Sequence, residues 1–402
     1  MSATPGKNME RILRLMADKR ASDIFLSANM PVLIKINGQI LQLTQEQLGA
    51  NQPRQLIAEL LTPSQLSELD DSGELNVGIP LPGVGTFRLS AFRQRGSIAA
   101  VFRCMPTDIP ALDTLHLPDM LGNLAMARRG LILMVGATGT GKSTTLASML
   151  QHRNRHQAGH ILTIEDPIEF IFPNLKSVVN QREVGRDVQS LQIGLKNAMR
   201  QAPDCIFIGE IRDRETMSSA LSYALSGHLV LATLHANNSY HAMGRILSFY
   251  TPEARPTLLS DLASGLRAVV SQRLLRSNAG GRVPAVEVLL NTKLVSELIE
   301  KGDLSGVKEA VENSLAEGSQ TFEQDIARLI NEGVISRDEG LAHADSPTNL
   351  LWRLQNEQAP VSRATPKKEE PETASFTEIT LDVRPDAPRT VAGGLPWPAV
   401  KP

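Results

Sequence analysis

The sequence predicts an α/β protein with two domains. A glycine-rich phosphate-binding pattern lies between an apolar run at 131–135 and a helical pattern that begins at 143. From that run onward, short β-type segments alternate with amphipathic ones, which predicts a mainly parallel sheet covered by helices. Turn signals in the first hundred residues predict a smaller mixed α/β domain with antiparallel strands. We therefore expect a first domain at 1–105, a linker at 106–118 and a second domain at 119–357.

The first domain begins with a helical pattern, in which apolar residues recur from Met9 to Met16. Asn37-Gly38 separates two apolar alternations within 32–43, which is typical of a tight β-hairpin. Further predicted elements are a turn at 81–85, strands at 86–92 and 97–105, and a turn at 93–96 between those strands.

The second domain follows a proline-spaced linker that carries little periodicity. Its predicted strands lie at 131–135, 160–165, 205–209 and 228–233, and amphipathic helices at 191–200 and 215–225 separate them. After 287–290 the pattern is wholly helical, with one apolar face at Leu294, Val295, Leu298 and Ile299 and another at Phe322, Ile326, Leu329 and Ile330.

The last segment, 358–402, differs in composition from the rest. It holds eight of the 24 prolines and lacks sustained apolar periodicity, so we predict a disordered tail. Its apolar cluster at 395–400, which includes Trp397, is either a docking motif or simply an unstructured end.

Bulk composition excludes several classes of protein. A chain of 402 residues with 42% hydrophobic and 21% charged residues is typical of globular protein, and a net charge of -2 argues against a general nucleic-acid binder. No apolar stretch is long enough to span a membrane, so we expect a cytoplasmic protein. Cys104 and Cys205 cannot build a disulfide framework or a four-cysteine zinc site, and we expect both in the core.

The most specific motif is an octapeptide that fits the phosphate-loop pattern G-x-x-x-x-G-K-[ST] at every fixed position. Glycines let the backbone curl around a polyphosphate, and the following helix N-terminus supplies positive potential. Lys142 would neutralise the β- and γ-phosphates, and Ser143 would hold Mg²⁺. We expect ATP to bind at Gly136, Ala137, Thr138, Gly139, Thr140, Gly141, Lys142, Ser143 and Thr144.

Acidic residues follow two of the predicted strands. Glu210 ends the apolar run that begins at 206, so that it would lie at a strand tip facing the phosphates and hold Mg²⁺ through water. Three acids within 165–169 follow another strand, and one of them could activate the attacking water. His228 and His235 bracket a further strand, and their spacing does not resemble that of zinc ligands.

These segments together resemble the PilT/PilU family of type IV pilus retraction ATPases, within the secretion ATPase superfamily. The resemblance covers residues 8 to about 355, and the order and spacing of its motifs match. They are the Walker A motif at 136–144, the Asp box at 161–170, an intervening strand at 179–184, the Walker B motif at 209–213, the His box at 227–235 and the N-terminal segment 85–96.

The resemblance implies a PAS-like N-terminal domain and a RecA-like P-loop ATPase domain with a helical C-terminal subdomain. It assigns Glu169 as the catalytic glutamate, Glu210 as the Walker B acid, and His228 and His235 as the His box pair. It also implies a hexameric ring in which N-domain arginines complete the site on closure. Our candidates are Arg88 and Arg103 first, and then Arg93 and Arg95, because a planar guanidinium meets two phosphate oxygens at once.

Two departures from the family pattern indicate which branch of the family this sequence resembles most. Two cysteines cannot supply the four-cysteine insert of extension and secretion ATPases, which favours the retraction-type members. Retraction motors of the PilT type carry Ala-Ile-Arg-Asn-Leu-Ile-Arg-Glu, whereas residues 294–301 read Leu-Val-Ser-Glu-Leu-Ile-Glu-Lys and lack both arginines. With the proline-rich tail, this resembles the PilU branch, whose members assist a PilT-type motor.

The implied partners are other copies of the chain, the pilus platform protein of the inner membrane and a PilT-type motor, with the protein peripheral at the pilus base. Four alternatives stay open at this point: a primary retraction motor of the PilT type, a non-catalytic regulatory ring that docks on another motor, a RecA-like nucleic-acid motor and a small-molecule kinase. The kinase is disfavoured because no acceptor pocket is evident.

Overall fold

A computed structural model describes residues 8–19, 21–36, 39–105, 109–312 and 317–356. Its N-terminal part contains a six-stranded sheet and three helices. In chain order these elements are α1 (Asn8–Asp18), β1 (Asp23–Leu26), β2 (Leu33–Ile36), β3 (Gln39–Gln42), α2 (Gln52–Ala58), α3 (Pro63–Ser72), β4 (Glu74–Leu81), β5 (Gly85–Gln94) and β6 (Ser97–Cys104). The strand order is β3-β2-β1-β6-β5-β4, and each pair of neighbours is antiparallel.

The core of this part lies between the sheet and the helices. The predicted helix is confirmed as α1, whose Met9, Leu13 and Met16 are fully buried in one apolar cluster with Phe87 and Phe102 of the sheet. Side chains three and four residues apart share one face of a helix, so this spacing produces a single buried stripe.

The two predicted hairpins have different outcomes. Strands β2 and β3 pair as expected, with Ile36 opposite Gln39, and the turn residues Asn37 and Gly38 lie outside the described residues. The prediction of a four-residue turn at 93–96 is wrong, because β5 continues through Gln94. The turn is Arg95-Gly96 alone, and both residues have positive φ, as a two-residue turn between twisted strands requires. Strands β1 and β4 were not predicted.

The second part contains a seven-stranded sheet with helices on both faces. Its strands and helices are α4 (Met120–Ala125), β7 (Gly130–Val135), α5 (Lys142–His156), β8 (Gly159–Glu165), β9 (Ser177–Glu183), α6 (Leu191–Ala198), β10 (Cys205–Ile208), α7 (Arg214–Leu225), β11 (Leu229–Leu234), α8 (Ser239–Ser248), α9 (Arg255–Gly265), β12 (Leu266–Arg276), β13 (Arg282–Leu290), α10 (Lys293–Glu300), α11 (Leu304–Glu312), α12 (Phe322–Asn331), α13 (Arg337–His343) and α14 (Pro347–Asn356). Short 3₁₀ turns lie at Leu112–Leu115, Met199–Gln201 and Pro252–Ala254.

The predicted parallel sheet is confirmed, in the order β13-β12-β7-β11-β10-β8-β9, with only the β12–β13 pair antiparallel. Every residue of β7, β10 and β11 is buried, because helices cover both faces. The chain after β13 is helical, as predicted. Strand β12 was not predicted, since it follows α9 directly with no turn residues between them.

The domain boundaries stay predictions. Residues 106–108 of the linker lie outside the described residues, and so does the predicted tail at 358–402. Within the described ranges, no helix combines the length and the apolar character needed to cross a bilayer.

Candidate active site

A cleft of about 1010 Å³ lies between the N-terminal sheet and the carboxyl edge of the parallel sheet. Because the strands β7, β8, β10 and β11 are parallel, the residues that follow them collect at one edge. The sequence-predicted residues that line this cleft are Thr138, Gly139, Gly141, Lys142, Ser143, Thr144, Glu169, Glu210, His235, Arg88 and Arg103. Gly136 and Ala137 line a neighbouring pocket instead, and the Thr140 hydroxyl turns back onto the Ala137 carbonyl.

The loop between β7 and α5 has the conformation that its glycines allow. Gly136 has φ 152°, and a Cβ there would lie 2.6 Å from the Gln272 carbonyl oxygen. Lys142 is 9% exposed, and its Nζ donates to the carbonyls of Gly136 and Ala137 at 2.8 Å each. Burial lowers the pKa of Lys142, whereas the charges of Glu210 and Glu169 oppose that shift. The loop therefore presents a cation and the N-terminus of α5 to the same cleft.

The Glu210 carboxylate contacts two basic side chains, those of Arg212 and His235. Its Oε2 accepts from Arg212 Nε at 2.6 Å, and its Oε1 lies 3.1 Å from His235 Nε2. Among the described residues, no group of three His, Cys, Asp or Glu side chains could hold a metal by itself. The Ser143 hydroxyl and the Glu210 carboxylate nevertheless fit Mg²⁺, which binds through few protein oxygens together with phosphate oxygens and water.

Glu165, one of the three acids at 165–169 that the sequence offered for activating water, ends β8 and also lines the cleft. Its Oε1 accepts from Thr163 Oγ1 at 2.6 Å and from Gln181 Nε2 at 3.3 Å. Burial raises the pKa of Glu165 to about 7, although these hydrogen bonds and one from the Glu169 backbone oppose the shift. Its position at the end of a parallel strand whose last five residues are all buried accounts for its burial, because such strands are covered on both faces.

The structure separates the two histidines that the sequence paired. His235 follows β11 and lines the cleft, whereas His228 precedes β11 at the other edge of the sheet. There, His228 Nδ1 lies 3.2 Å from the Tyr223 carbonyl oxygen. A strand advances about 3.3 Å per residue, so β11 holds the two imidazoles roughly 20 Å apart. His228 therefore does not line this cleft with His235, and its assignment to the site stays a prediction.

Arg88 and Arg103 occupy directly opposite positions on β5 and β6 and extend to the cleft. Arg103 Nε donates to Asp23 Oδ1 at 2.9 Å, whereas Arg88 forms no ion pair with any of the described residues. The second-choice arginines are not in the cleft. Arg93 lies at the far end of β5, where its guanidinium donates to the Asp70 carbonyl at 2.6 Å, and Arg95 forms the turn.

Gln272 of β12 was not among the residues that the sequence predicted for the site. It is 2% exposed, its Oε1 accepts from Thr145 Oγ1 at 2.8 Å, and its Nε2 donates to the Thr140 carbonyl at 2.8 Å. The amide thus joins the phosphate loop to the first turn of α5. A glutamine in an unpredicted strand carries no signal in the sequence, since only the fold brings it to the loop.

This fold and cleft define a P-loop ATPase of the RecA-like class. The family described as "Type II/IV secretion system protein" matches residues 6–339. The chain is 44% identical over 342 residues to the type IV pilus ATPase PilU of Pseudomonas aeruginosa, covering 85% of this chain and 90% of PilU. It is 35% identical over 343 residues to PilT of the same organism, covering 85% and 100%.

A solved structure, that of the pilus retraction motor PilT with bound ADP, superimposes with a TM-score of 0.80 at 37% identity and covers 86% of this chain and 99% of that one. The chain belongs to the PilT/PilU family of type IV pilus ATPases. The N-terminal domain and the RecA-like domain fit this assignment, and the roles of the individual cleft residues stay predictions.

Proposed function

We propose that this protein binds and hydrolyses ATP in the cleft and uses the resulting domain movement to drive or assist retraction of a type IV pilus. One observation carries the proposal: Lys142, Glu169, Glu210 and His235 lie along one cleft wall, while the arginines of the N-terminal sheet lie along the other. Phosphoryl transfer needs this combination of a phosphate cradle, acids for water and metal, and positive charge opposite the γ-phosphate.

Each residue has a distinct task in this proposal. The loop amides and Lys142 bind the β- and γ-phosphates, and Ser143, with Glu210 through water, would hold Mg²⁺. The metal would neutralise charge on the phosphate oxygens. Glu169 orients and deprotonates the attacking water, and His235 holds the Glu210 carboxylate in place. Arg88 and Arg103 stabilise the charge that spreads over the transferred group.

The position of the arginines links chemistry to movement. They belong to the N-terminal sheet, so charge on the nucleotide pulls that sheet toward the phosphate loop, and loss of the γ-phosphate weakens the attraction. In a ring of six copies, such closing and opening would be passed from subunit to subunit and to a pilus platform protein at the inner membrane. The resemblance to PilU favours an assisting role beside a PilT-type motor.

Steady-state ATP hydrolysis of purified Lys142→Ala tests the site. We expect turnover to fall at least about a hundredfold, because the loop then lacks its phosphate-binding cation. Lys196→Ala is the matched control, since Lys196 is exposed on α6 outside the cleft, and it should keep normal turnover. Near-normal activity of Lys142→Ala would refute the assigned site.

A second experiment separates the roles in the cell. Deletion of this gene alone, followed by assays of twitching and surface piliation, should weaken motility while piliation is retained if the protein assists another motor. Hyperpiliation with failed retraction would instead identify a primary motor. Complementation with Glu169→Gln then asks whether hydrolysis is needed, and full rescue by that variant would favour a non-catalytic ring.

A further inference from the structure

Three consecutive residues of β12 contact three different parts of the second domain. Gln272 holds the phosphate loop and α5, as described above. Ser271 Oγ donates at 2.8 Å to Glu287 Oε1, which also accepts from the backbone nitrogen of Ser239 at 2.7 Å, at the start of α8. Arg273 makes the contacts with the C-terminal helices. The strand is therefore a junction between the nucleotide cleft and the rest of the domain.

Arg273 binds two segments at once. On one side, its Nη2 donates to the Asn237 carbonyl at 3.3 Å, two residues after His235. On the other side, the guanidinium donates to the His343 carbonyl at the end of α13 and pairs with Asp345, and its centre lies 3.9 Å from the centroid of the Phe322 ring on α12. Only 18% of the Arg273 side chain is exposed.

A parallel contact reinforces this link. Asn238 Nδ2 donates to Asp345 Oδ2 at 2.8 Å, so that Asp345 holds Arg273 with one oxygen and the segment after His235 with the other. Asn238 also caps α8 through the His241 backbone nitrogen at 2.9 Å. Because His235 contacts Glu210 in the cleft, a shift of Glu210 reaches Asn237 and Asn238 along a short stretch of backbone.

We propose that Arg273 is a positioning residue that joins the segment 235–238 to helices α12–α14, so that the nucleotide state of the cleft is passed to those helices. The inference rests on the proposed function, because it needs a nucleotide in the cleft. A planar guanidinium makes all these contacts together, whereas an ammonium provides one charge without the fork or the stacking face. Lysine at this position would keep the positive charge but lose most of the coupling between the nucleotide cleft and helices α12–α14.

Hydrogen exchange measured by mass spectrometry on the full chain tests the proposal, with ADP and ATPγS as the bound nucleotides. In the unmodified protein, we expect the exchange of residues 321–356 to differ between the two nucleotides. In Arg273→Lys this difference should fall at least about threefold, while the ADP dissociation constant stays within about threefold. Arg276→Lys is the matched control, three residues along the same strand with an exposed side chain, and should behave as the unmodified protein.

Asp345→Asn provides a second variant, because Asp345 is one-third exposed and its loss should not prevent folding. It should reduce the same difference. An undiminished difference in both variants would overturn the inference, and so would an absence of any difference in the unmodified protein with nucleotide bound. Failure of the unmodified protein to bind either nucleotide would instead refute the proposed function and, with it, this inference.

Discussion

Asp23 and Arg103 face each other across β1 and β6, with Arg103 Nε 2.9 Å from Asp23 Oδ1. The acid side chain is 6% exposed and that of the arginine 64%, so a buried carboxylate orients a cation that extends into the cleft. Ser22 Oγ donates to the other oxygen of Asp23 at 2.9 Å and fixes its position. One arginine of the N-terminal sheet is thus preorganised by its own ion pair.

The first prediction concerns Asp23. Asp23→Asn should lower kcat/KM for ATP by about tenfold, because Arg103 then samples several orientations while its charge remains. Steady-state kinetics measures this effect. Asp70→Asn is the control, since Asp70 pairs with Arg54 on the exposed surface away from the cleft. Equal kinetics for the two variants would show that the Asp23 ion pair has no part in turnover.

The second prediction concerns Arg88. Arg88→Ala should reduce kcat by about a hundredfold, because a cation that faces the transferred group is removed. Its effect on ADP affinity should be much smaller, since ADP lacks the γ-phosphate. Single-turnover hydrolysis and ADP titration separate the two quantities. Arg95→Asn serves as a control at the β5–β6 turn, where asparagine tolerates the left-handed backbone. A larger loss of ADP binding than of kcat would contradict the assignment.

The third prediction distinguishes the histidines. His235→Asn should lower kcat by about tenfold, because Glu210 loses a hydrogen-bonding partner in the cleft. His228→Asn should change kcat less than about twofold, since it lies at the opposite edge of the sheet. The two variants are assayed side by side under saturating ATP. A comparable loss in both would indicate a role for His228 that this chain alone does not provide.

The fourth prediction concerns stability and pH. The folded protein raises the pKa of Glu165 from its usual 4.5 to about 7, so the folded state binds more protons than the unfolded state between these values. The free energy of unfolding should therefore fall as pH rises through this interval, with a contribution from this group of about 3 kcal/mol. Glu165→Gln should flatten this dependence, because the amide stays neutral.

Urea unfolding at several pH values measures the effect of Glu165. Glu68→Gln is the control, since Glu68 is exposed on α3, and its pH profile should match that of the unmodified protein. An identical slope in Glu165→Gln would mean that this carboxyl is already ionised near pH 5 in the folded state.

The fifth prediction concerns Gln272. Gln272→Leu should lower the free energy of unfolding by about 2 kcal/mol, because it leaves the Thr145 hydroxyl and the Thr140 carbonyl without this buried partner. It should also weaken ATP binding by about tenfold, since the phosphate loop loses its support. Urea unfolding and nucleotide titration measure these effects. If ATP binding were unchanged, the role of Gln272 would be limited to stability.

Most of the fold could be predicted because the sequence signals for its strands, loops and helices lie within short continuous segments. The apolar run of β7, the glycine loop and α5 are consecutive, and the acids after β8 and β10 converge because parallel strands share one carboxyl edge. Gln272 could not be predicted, because β12 is inserted beside β7 by topology alone. The separation of His228 from His235 has a related cause. Two histidines that bracket a strand are close in sequence, yet an extended strand separates its own ends.

Arg88 and Arg103 place two like charges side by side on adjacent strands, an arrangement that costs stability in a sheet. Asp23 pairs with Arg103, whereas Arg88 forms no ion pair with any of the described residues. A triphosphate in the cleft would act as the missing counterion. Repulsion between these two arginines destabilises the N-terminal sheet, and the negative charge of a bound nucleotide would offset it. The nucleotide would therefore stabilise this sheet in addition to serving as the substrate for hydrolysis.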